Sequence, residues 1–91
     1  MTIQETPPLQ GVRVIDFATG IAGPHAGLLL AHHGADVIKV EPPEGDWSRR
    51  LGISVNEQSP FSTYYNRGKR SLALDLKHPR GRELALQLIH D

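Results

Sequence analysis

The chain has 91 residues, 38% apolar and 22% charged, and its ten basic side chains balance ten acidic ones. That is room for one small domain and not two, and zero net charge leaves no cationic excess for a nucleic-acid partner. The absence of cysteine excludes disulfides and thiolate metal sites.

The longest apolar run, Ala26 to Ala31, is far shorter than a bilayer requires. Met1 to Pro8 lacks the basic and apolar regions of a signal peptide. A cytoplasmic protein with no membrane partner is expected.

Residues 1–9 are polar, carry Pro7 and Pro8 and read as a lead-in arm. Val12 to Phe17 is β-branched and apolar between glycine-containing segments, the pattern of a buried strand. Thr19 to Gly23 reads as a turn. Pro24 suits the first position of a helix, which runs to His33, and Gly34 is placed to cap its C-terminus. Gly27 inside that helix costs about 1 kcal/mol relative to Ala. Asp36 to Glu41 reads as a second strand, ended by Pro42 and Pro43. Strand, short helix and strand in this order form a βαβ unit with parallel strands and a right-handed crossover.

Residues 42–70 hold three of the seven prolines and three glycines, with no sustained apolar period. They read as a long surface segment with one irregular helical turn near Phe61 to Tyr65. Loops of this length are usually functional or rest on further protein. Ser71 to Leu76 alternates and reads as a third strand. Pro79 opens a second helix to about His90, with Leu84, Ala85, Leu88 and Ile89 on one face. That face asks for a wider sheet than three short strands, and an α/β fold continues from such a helix into another strand. The chain therefore reads as part of a larger domain.

Several local patterns bear on chemistry. The turn Gly20-Ile21-Ala22-Gly23-Pro24 leaves the end of a strand and enters a helix, the place where open α/β folds bind anionic ligands. It reads either as a ligand-binding turn or as a tight structural one. Its glycine spacing is not that of dinucleotide enzymes. Glu41 sits where such enzymes hold a ribose, but beside the wrong glycine pattern. Arg67-Gly68-Lys69-Arg70 reads as a solvated basic loop ahead of a phosphate contact. Asp75 and Lys77 flank Leu76 at the end of the third strand, again on the ligand-collecting edge. His25 and His32 share a helical face without an acidic partner near in sequence, so no metal site is expected. Trp47, Tyr64 and Tyr65 read as closing over apolar surface. No serine lies in a nucleophile elbow, and the acids show no catalytic pairing.

The order of these elements is more specific than any one of them. Ala22-Gly23-Pro24 is followed by Gly34-Ala35-Asp36-Val37-Ile38-Lys39-Val40-Glu41 with Pro43, then by Gly45-Asp46 with Arg49. Asn66-Arg67-Gly68-Lys69-Arg70-Ser71 and Leu74-Asp75-Leu76-Lys77 complete the series. Over residues 9–90 this resembles the opening of the class III CoA-transferases, the family that includes formyl-CoA and carnitine CoA-transferases and α-methylacyl-CoA racemases. The resemblance implies the N-terminal part of a larger α/β CoA-transferase domain, built on a Rossmann-like parallel βαβ unit. It implies an interlocked homodimer, acyl-CoA and carboxylic acid substrates, and no permanently bound cofactor. In transferase members an aspartate attacks the thioester to give a mixed anhydride; in racemase members an aspartate and a histidine move the α-proton. Both sets lie downstream of these residues, so no catalytic residue is carried onto this chain.

What the resemblance does carry over is part of the coenzyme site. Gly20, Ile21 and Ala22 are the coenzyme-contacting turn, small residues there letting CoA reach the backbone. Leu74, Asp75, Leu76 and Lys77 are the second contacting segment. A basic residue often follows the second strand's terminal acid in the family; here that position is Pro42, and Arg49, Arg67 or Arg70 is the available substitute. An acyl-CoA transferase is the leading expectation, a racemase the alternative, and a non-enzymatic nucleotide-binding module the third.

Overall fold

The computed structural model describes residues 6–56 and 58–91. Three parallel strands form one sheet in the order β1 (Arg13–Asp16), β2 (Asp36–Glu41), β3 (Arg70–Ala73). Helix α1 (Ala22–His32) joins β1 to β2, α2 (Pro60–Tyr65) precedes β3, and α3 (Pro79–His90) follows it. The expected α/β fold with a parallel βαβ unit is present. No helix among the described residues is long and apolar enough to cross a membrane.

The bounds differ from expectation at identifiable points. β1 is shorter by one residue at each end, although Val12 still accepts a hydrogen bond from the Asp36 amide (2.9 Å). α1 begins at Ala22, not Pro24. Proline is tolerated at this third position because the first helical amides have no intrahelical partner anyway; the His25 amide makes the bond back to the Ile21 carbonyl, at 2.8 Å. β3 starts one residue early and ends at Ala73. The Leu74 amide still reaches the Glu41 carbonyl (2.8 Å), but Pro42 and Pro43 give a further rung no partner.

α1 ends as its glycine predicts. Gly34 has φ +102°, its amide bonds to Ala31 and the Ala35 amide to Leu30, the two bonds of a Schellman cap. Residues 1–5 of the expected arm lie outside the described residues. The rest of the arm is docked on this cap: the Leu9 amide donates to the His33 carbonyl at 2.8 Å, and the Pro7 ring occupies the space beside Gly34.

Residues paired in parallel register share a sheet face. Val14, Asp16, Val37, Lys39, Glu41 and Ser71 therefore share one face; Ile15, Ile38, Val40 and Leu72 share the other. The first face carries α1, since Gly27 of that helix abuts the Asp16 carboxylate. β2 is buried over Val37–Glu41, so Lys39 and Glu41 lie in the interior beside Val37.

The segment after β2 departs most from the reading as a surface loop. It contains a 3-10 turn (Trp47–Arg50) as well as α2, and Asp46, Ser48, Ser59 and Ser62 within it are buried. Asp46 caps the 3-10 turn through the Ser48 amide. Ser59 caps α2 in a reciprocal box with Ser62, and its hydroxyl donates to the Ser48 carbonyl, tying the two pieces together. Hydroxyl and carboxylate contacts of this kind leave no apolar period in the sequence.

Candidate functional site

Parallel pairing brings the C-terminal ends of all three strands to one edge of the sheet. A cleft of about 380 Å³ lies along that edge, within the range of small-molecule sites. It is lined by Phe17 and Thr19 after β1, by Val40 and Pro42 to Glu44 at the end of β2, and by Leu74 to Lys77 after β3. Four of the seven expected coenzyme residues line it. The other three, Gly20, Ile21 and Ala22, follow directly on Thr19 and open α1. Phe17, Thr19, Pro43 and Glu44 were not singled out as site residues from the sequence, although their position at strand ends could have marked them; Pro42, the position where the family often has a basic residue, lines the cleft as well.

The turn between β1 and α1 is held from inside by charged groups. The Ala18 amide donates to Asp16 Oδ1 at 2.8 Å, and Lys39 Nζ donates to the Ala18 carbonyl at 3.0 Å. The Gly20 amide donates to both oxygens of Asp46, at 3.1 and 3.2 Å. Gly20 has φ +83°, and a Cβ there would lie 2.5 Å from Trp47 Cζ2. The room beside Gly20, expected to admit a ligand, is filled by the Trp47 ring. α1 itself has Ile21 at its N-cap position and no side-chain cap.

Three ion pairs lie beneath this edge, two of them fully buried. Lys69 meets Asp16 at 2.8 Å, with both side chains at most 5% exposed. Lys39 meets Asp46 at 3.1 Å, and Arg49 meets Glu41 at 2.6 Å. Hydrogen bonds from Arg49 pull the Glu41 carboxyl down most strongly; burial opposes them, and the Asp46 amide and the charges of Arg49 and Lys39 add to them. The balance leaves Glu41 at about 2, against an ordinary 4.5. Burial pushes Asp46 up, but the amides of Ser48 and Gly20 and the Lys39 ammonium outweigh it and hold the carboxyl low. Burial lowers Lys69, against the raising effect of Asp16.

A depressed carboxylate stabilises the fold above its unfolded pKa and loses that contribution as pH falls through the folded one. For Glu41 the window runs from 4.5 down to about 2 and is worth about 3 kcal/mol. We expect Glu41→Gln to flatten this acid limb in the full-length protein. Urea midpoints measured from pH 6 to pH 2 check it; an acid limb as steep as that of the parent would refute the assignment.

The basic cluster expected as a solvated loop is dispersed by the fold. Lys69 turns inward, to Asp16, the Pro24 carbonyl (2.9 Å) and Asn66 Oδ1 (2.9 Å). Arg70 pairs with Asp36 at 2.6 Å at the far end of the sheet. Arg67 stacks over Tyr64, 4.6 Å from the ring centroid. None of the three lines the strand-end cleft. Glu41 has both oxygens engaged by Arg49. His25 meets Tyr65 edge-on at 5.6 Å, while Trp47, expected as a lid over apolar surface, is half exposed against Gly20. Among the described residues no three His, Asp or Glu side chains are grouped as a metal would require.

After β3 the chain turns sharply. Asp75 Oδ1 accepts the Lys77 amide at 3.0 Å, and His78 Nδ1 accepts the Arg80 amide at 3.1 Å, capping α3. A Cβ at Gly81 would lie 2.0 Å from the Asp75 carbonyl oxygen, so only glycine lets the first turn of α3 close against the strand end.

Residues 9–91 match CoA-transferase family III. The chain belongs to that family. Among relatives, it is 47% identical over 91 aligned positions to a succinate–glutarate CoA-transferase of Agrobacterium fabrum, covering 91% of this chain and 23% of that protein. It is 46% identical over 86 positions to a formyl-CoA:oxalate CoA-transferase of a Bradyrhizobium species, covering 92% of this chain and 20% of that protein. A 2-methylfumaryl-CoA isomerase of Chloroflexus aurantiacus is 43% identical over 83 positions, with 89% and 20% covered. Among solved structures, a CAIB/BAIF family protein from Brucella suis superposes with a TM-score of 0.85 at 42% identity, over 93% of this chain and 24% of that one. The present chain thus spans about a quarter of the length of the family III proteins it matches. These structures carry the same α/β arrangement.

Proposed function

We propose that the full-length protein moves CoA between a CoA thioester and a carboxylic acid, and that these residues form part of its coenzyme seat. The observation that carries this reading is the strand-end cleft in a chain of family III. It gathers Leu74 to Lys77 beside Phe17 and Thr19, which lead into α1. There the uncapped helix N-terminus offers amides to an anion. CoA brings a diphosphate and a ribose phosphate to such an edge, and Lys77 adds a positive charge that pairs with no acid among the described residues. CoA acts as substrate, with no permanently held cofactor. The nucleophilic aspartate that the resemblance implies belongs to the polypeptide beyond residue 91. The full-length protein is proposed to work as an interlocked homodimer.

Losing a charge-assisted hydrogen bond costs about 1.5–3 kcal/mol, roughly ten- to a hundredfold in affinity. Lys77→Glu in the full-length protein is expected to weaken CoA binding by that factor while the fold stays in place, because Lys77 is exposed. Calorimetric titration of CoA decides it, and an unchanged dissociation constant would place the coenzyme elsewhere. Gly20→Val is not a clean companion test: its positive φ and the Trp47 ring make it a probe of folding.

The 43% identity to an isomerase of CoA thioesters favours a second reading, proton movement α to the thioester. Incubation with an acyl-CoA in deuterated water, without an acceptor acid, separates the two: α-deuteration supports the second reading and its absence supports transfer.

A further inference from the structure

The turn between β1 and α1 contains no side chain that holds it in shape. The Ala18 amide is taken by Asp16 at the end of β1, and the Ala18 carbonyl and the Gly20 amide are taken by buried charges from β2 and from the segment after it. Asp46, 1% exposed, accepts the Gly20 amide through both oxygens, at 3.1 and 3.2 Å. Its second oxygen also meets Lys39 Nζ at 3.1 Å, and the same ammonium donates to the Ala18 carbonyl at 3.0 Å. Asp46 is anchored in turn: its own amide donates to Glu41 Oε2 at 2.8 Å, and its first oxygen accepts the Ser48 amide at 3.1 Å. The Trp47 ring, next in sequence, closes over the remaining side of Gly20.

This arrangement has a consequence for the anion-binding end of α1. A carboxylate at a helix entry competes with any anionic ligand for the available amides. Asp46 takes the Gly20 amide alone among the turn's amides, from the interior side, while Lys39 neutralises it there. The amides of Ile21 and Ala22 at the uncapped start of α1 donate no bond to it. A buried pair with fixed partners gives the turn one shape, since rotating Gly20 out of its left-handed conformation would strip Asp46 of its donor in a site closed to water.

We infer that Asp46, acting with Lys39, is a positioning residue for the coenzyme: it fixes the backbone of Ala18–Gly20 so that the first amides of α1 stand at the strand-end cleft. The inference rests on the reading of that cleft as the coenzyme seat. Asp46 touches no coenzyme; it acts through Gly20.

The test uses the full-length protein and CoA itself as the probe. Asp46→Ser keeps a side-chain oxygen to cap the Ser48 amide but withdraws from Gly20 and Lys39. Asp46→Asn retains an acceptor for Gly20 and serves as the conservative rescue. Lys39→Met is the second route to the same loss, should the serine variant fold poorly. Arg70→Ala, which breaks the exposed ion pair with Asp36 at the other end of the sheet, controls for general loss of stability. Three readouts are taken: hydrogen exchange of the peptide spanning residues 17–23, the CoA dissociation constant, and Tm. Asp46→Ser is expected to speed exchange in that peptide and weaken CoA binding about tenfold, with Asp46→Asn nearer the parent and Arg70→Ala moving Tm alone. Unchanged exchange at residues 17–23 in both Asp46→Ser and Lys39→Met overturns the positioning role. Faster exchange with unchanged CoA affinity overturns instead the coenzyme reading on which it rests, and Lys77→Glu would then be silent as well. Equal CoA weakening in Arg70→Ala at matched Tm loss reduces the effect to stability and also overturns the inference.

Discussion

Asp16→Ala in the full-length protein is expected to lower its stability by about 3–5 kcal/mol, the cost of leaving a buried charge without its partner. The partner is Lys69, 1% exposed at its side chain and 2.8 Å from Asp16. Its remaining contacts, the Pro24 carbonyl and Asn66 Oδ1, are neutral oxygens. They satisfy the ammonium's hydrogen bonds but not its charge. The Ala18 amide also loses its acceptor. A small domain has a total stability of about 5–15 kcal/mol, so this single change consumes much of it. The double variant Asp16→Ala with Lys69→Met removes both charges and is expected to recover part of the loss, because the stranded ammonium is the main penalty. Urea unfolding of the four proteins in this cycle at equal m-value measures the coupling. A loss under about 1 kcal/mol for Asp16→Ala, or no recovery in the double variant, would show the pair to be incidental.

A purified chain of residues 1–91 is expected to show no CoA transfer with succinyl-CoA and a panel of carboxylic acids. Covalent catalysis needs a carboxylate that is free to attack and placed at the thioester. Asp16, Glu41 and Asp46 are buried and paired with Lys69, Arg49 and Lys39, and Asp36 is bound to Arg70 away from the cleft. The carboxylates on the cleft are Glu44 and Asp75. Asp75 is exposed and already accepts the Lys77 amide, and a solvated carboxylate is a weak nucleophile. Loss of an essential nucleophile costs about six orders of magnitude in kcat. Turnover at about 1–10³ per second would mean that one of these two acids, most directly Asp75, does the chemistry.

Local signals carried the outline of the fold. Asp36–Glu41 and Pro79–His90 are read at their observed bounds, because each is bracketed by residues that act through their own backbone: Gly34 at φ +102° and the Pro42-Pro43 stop for the strand, Pro79 for the helix. The order of short motifs was sufficient for the family resemblance, and parallel strand order then placed Gly20 and Leu74–Lys77 on one edge. Partners far apart in sequence decided the rest. Nothing near Lys39 or Glu41 marks them as interior; Asp46 and Arg49 do so, from a segment whose own packing runs through serine hydroxyls. Lys69 reads as one of a solvated basic run until Asp16, 53 residues earlier, draws it under α1. Gly27, a cost when only helix propensity is counted, is the residue whose missing Cβ leaves room for that pair, since a Cβ would sit 2.8 Å from Asp16 Oδ2. Gly20 is small for the Trp47 ring. A charge is cheap to bury only where its counter-charge is already buried, and that condition is met by the tertiary structure alone.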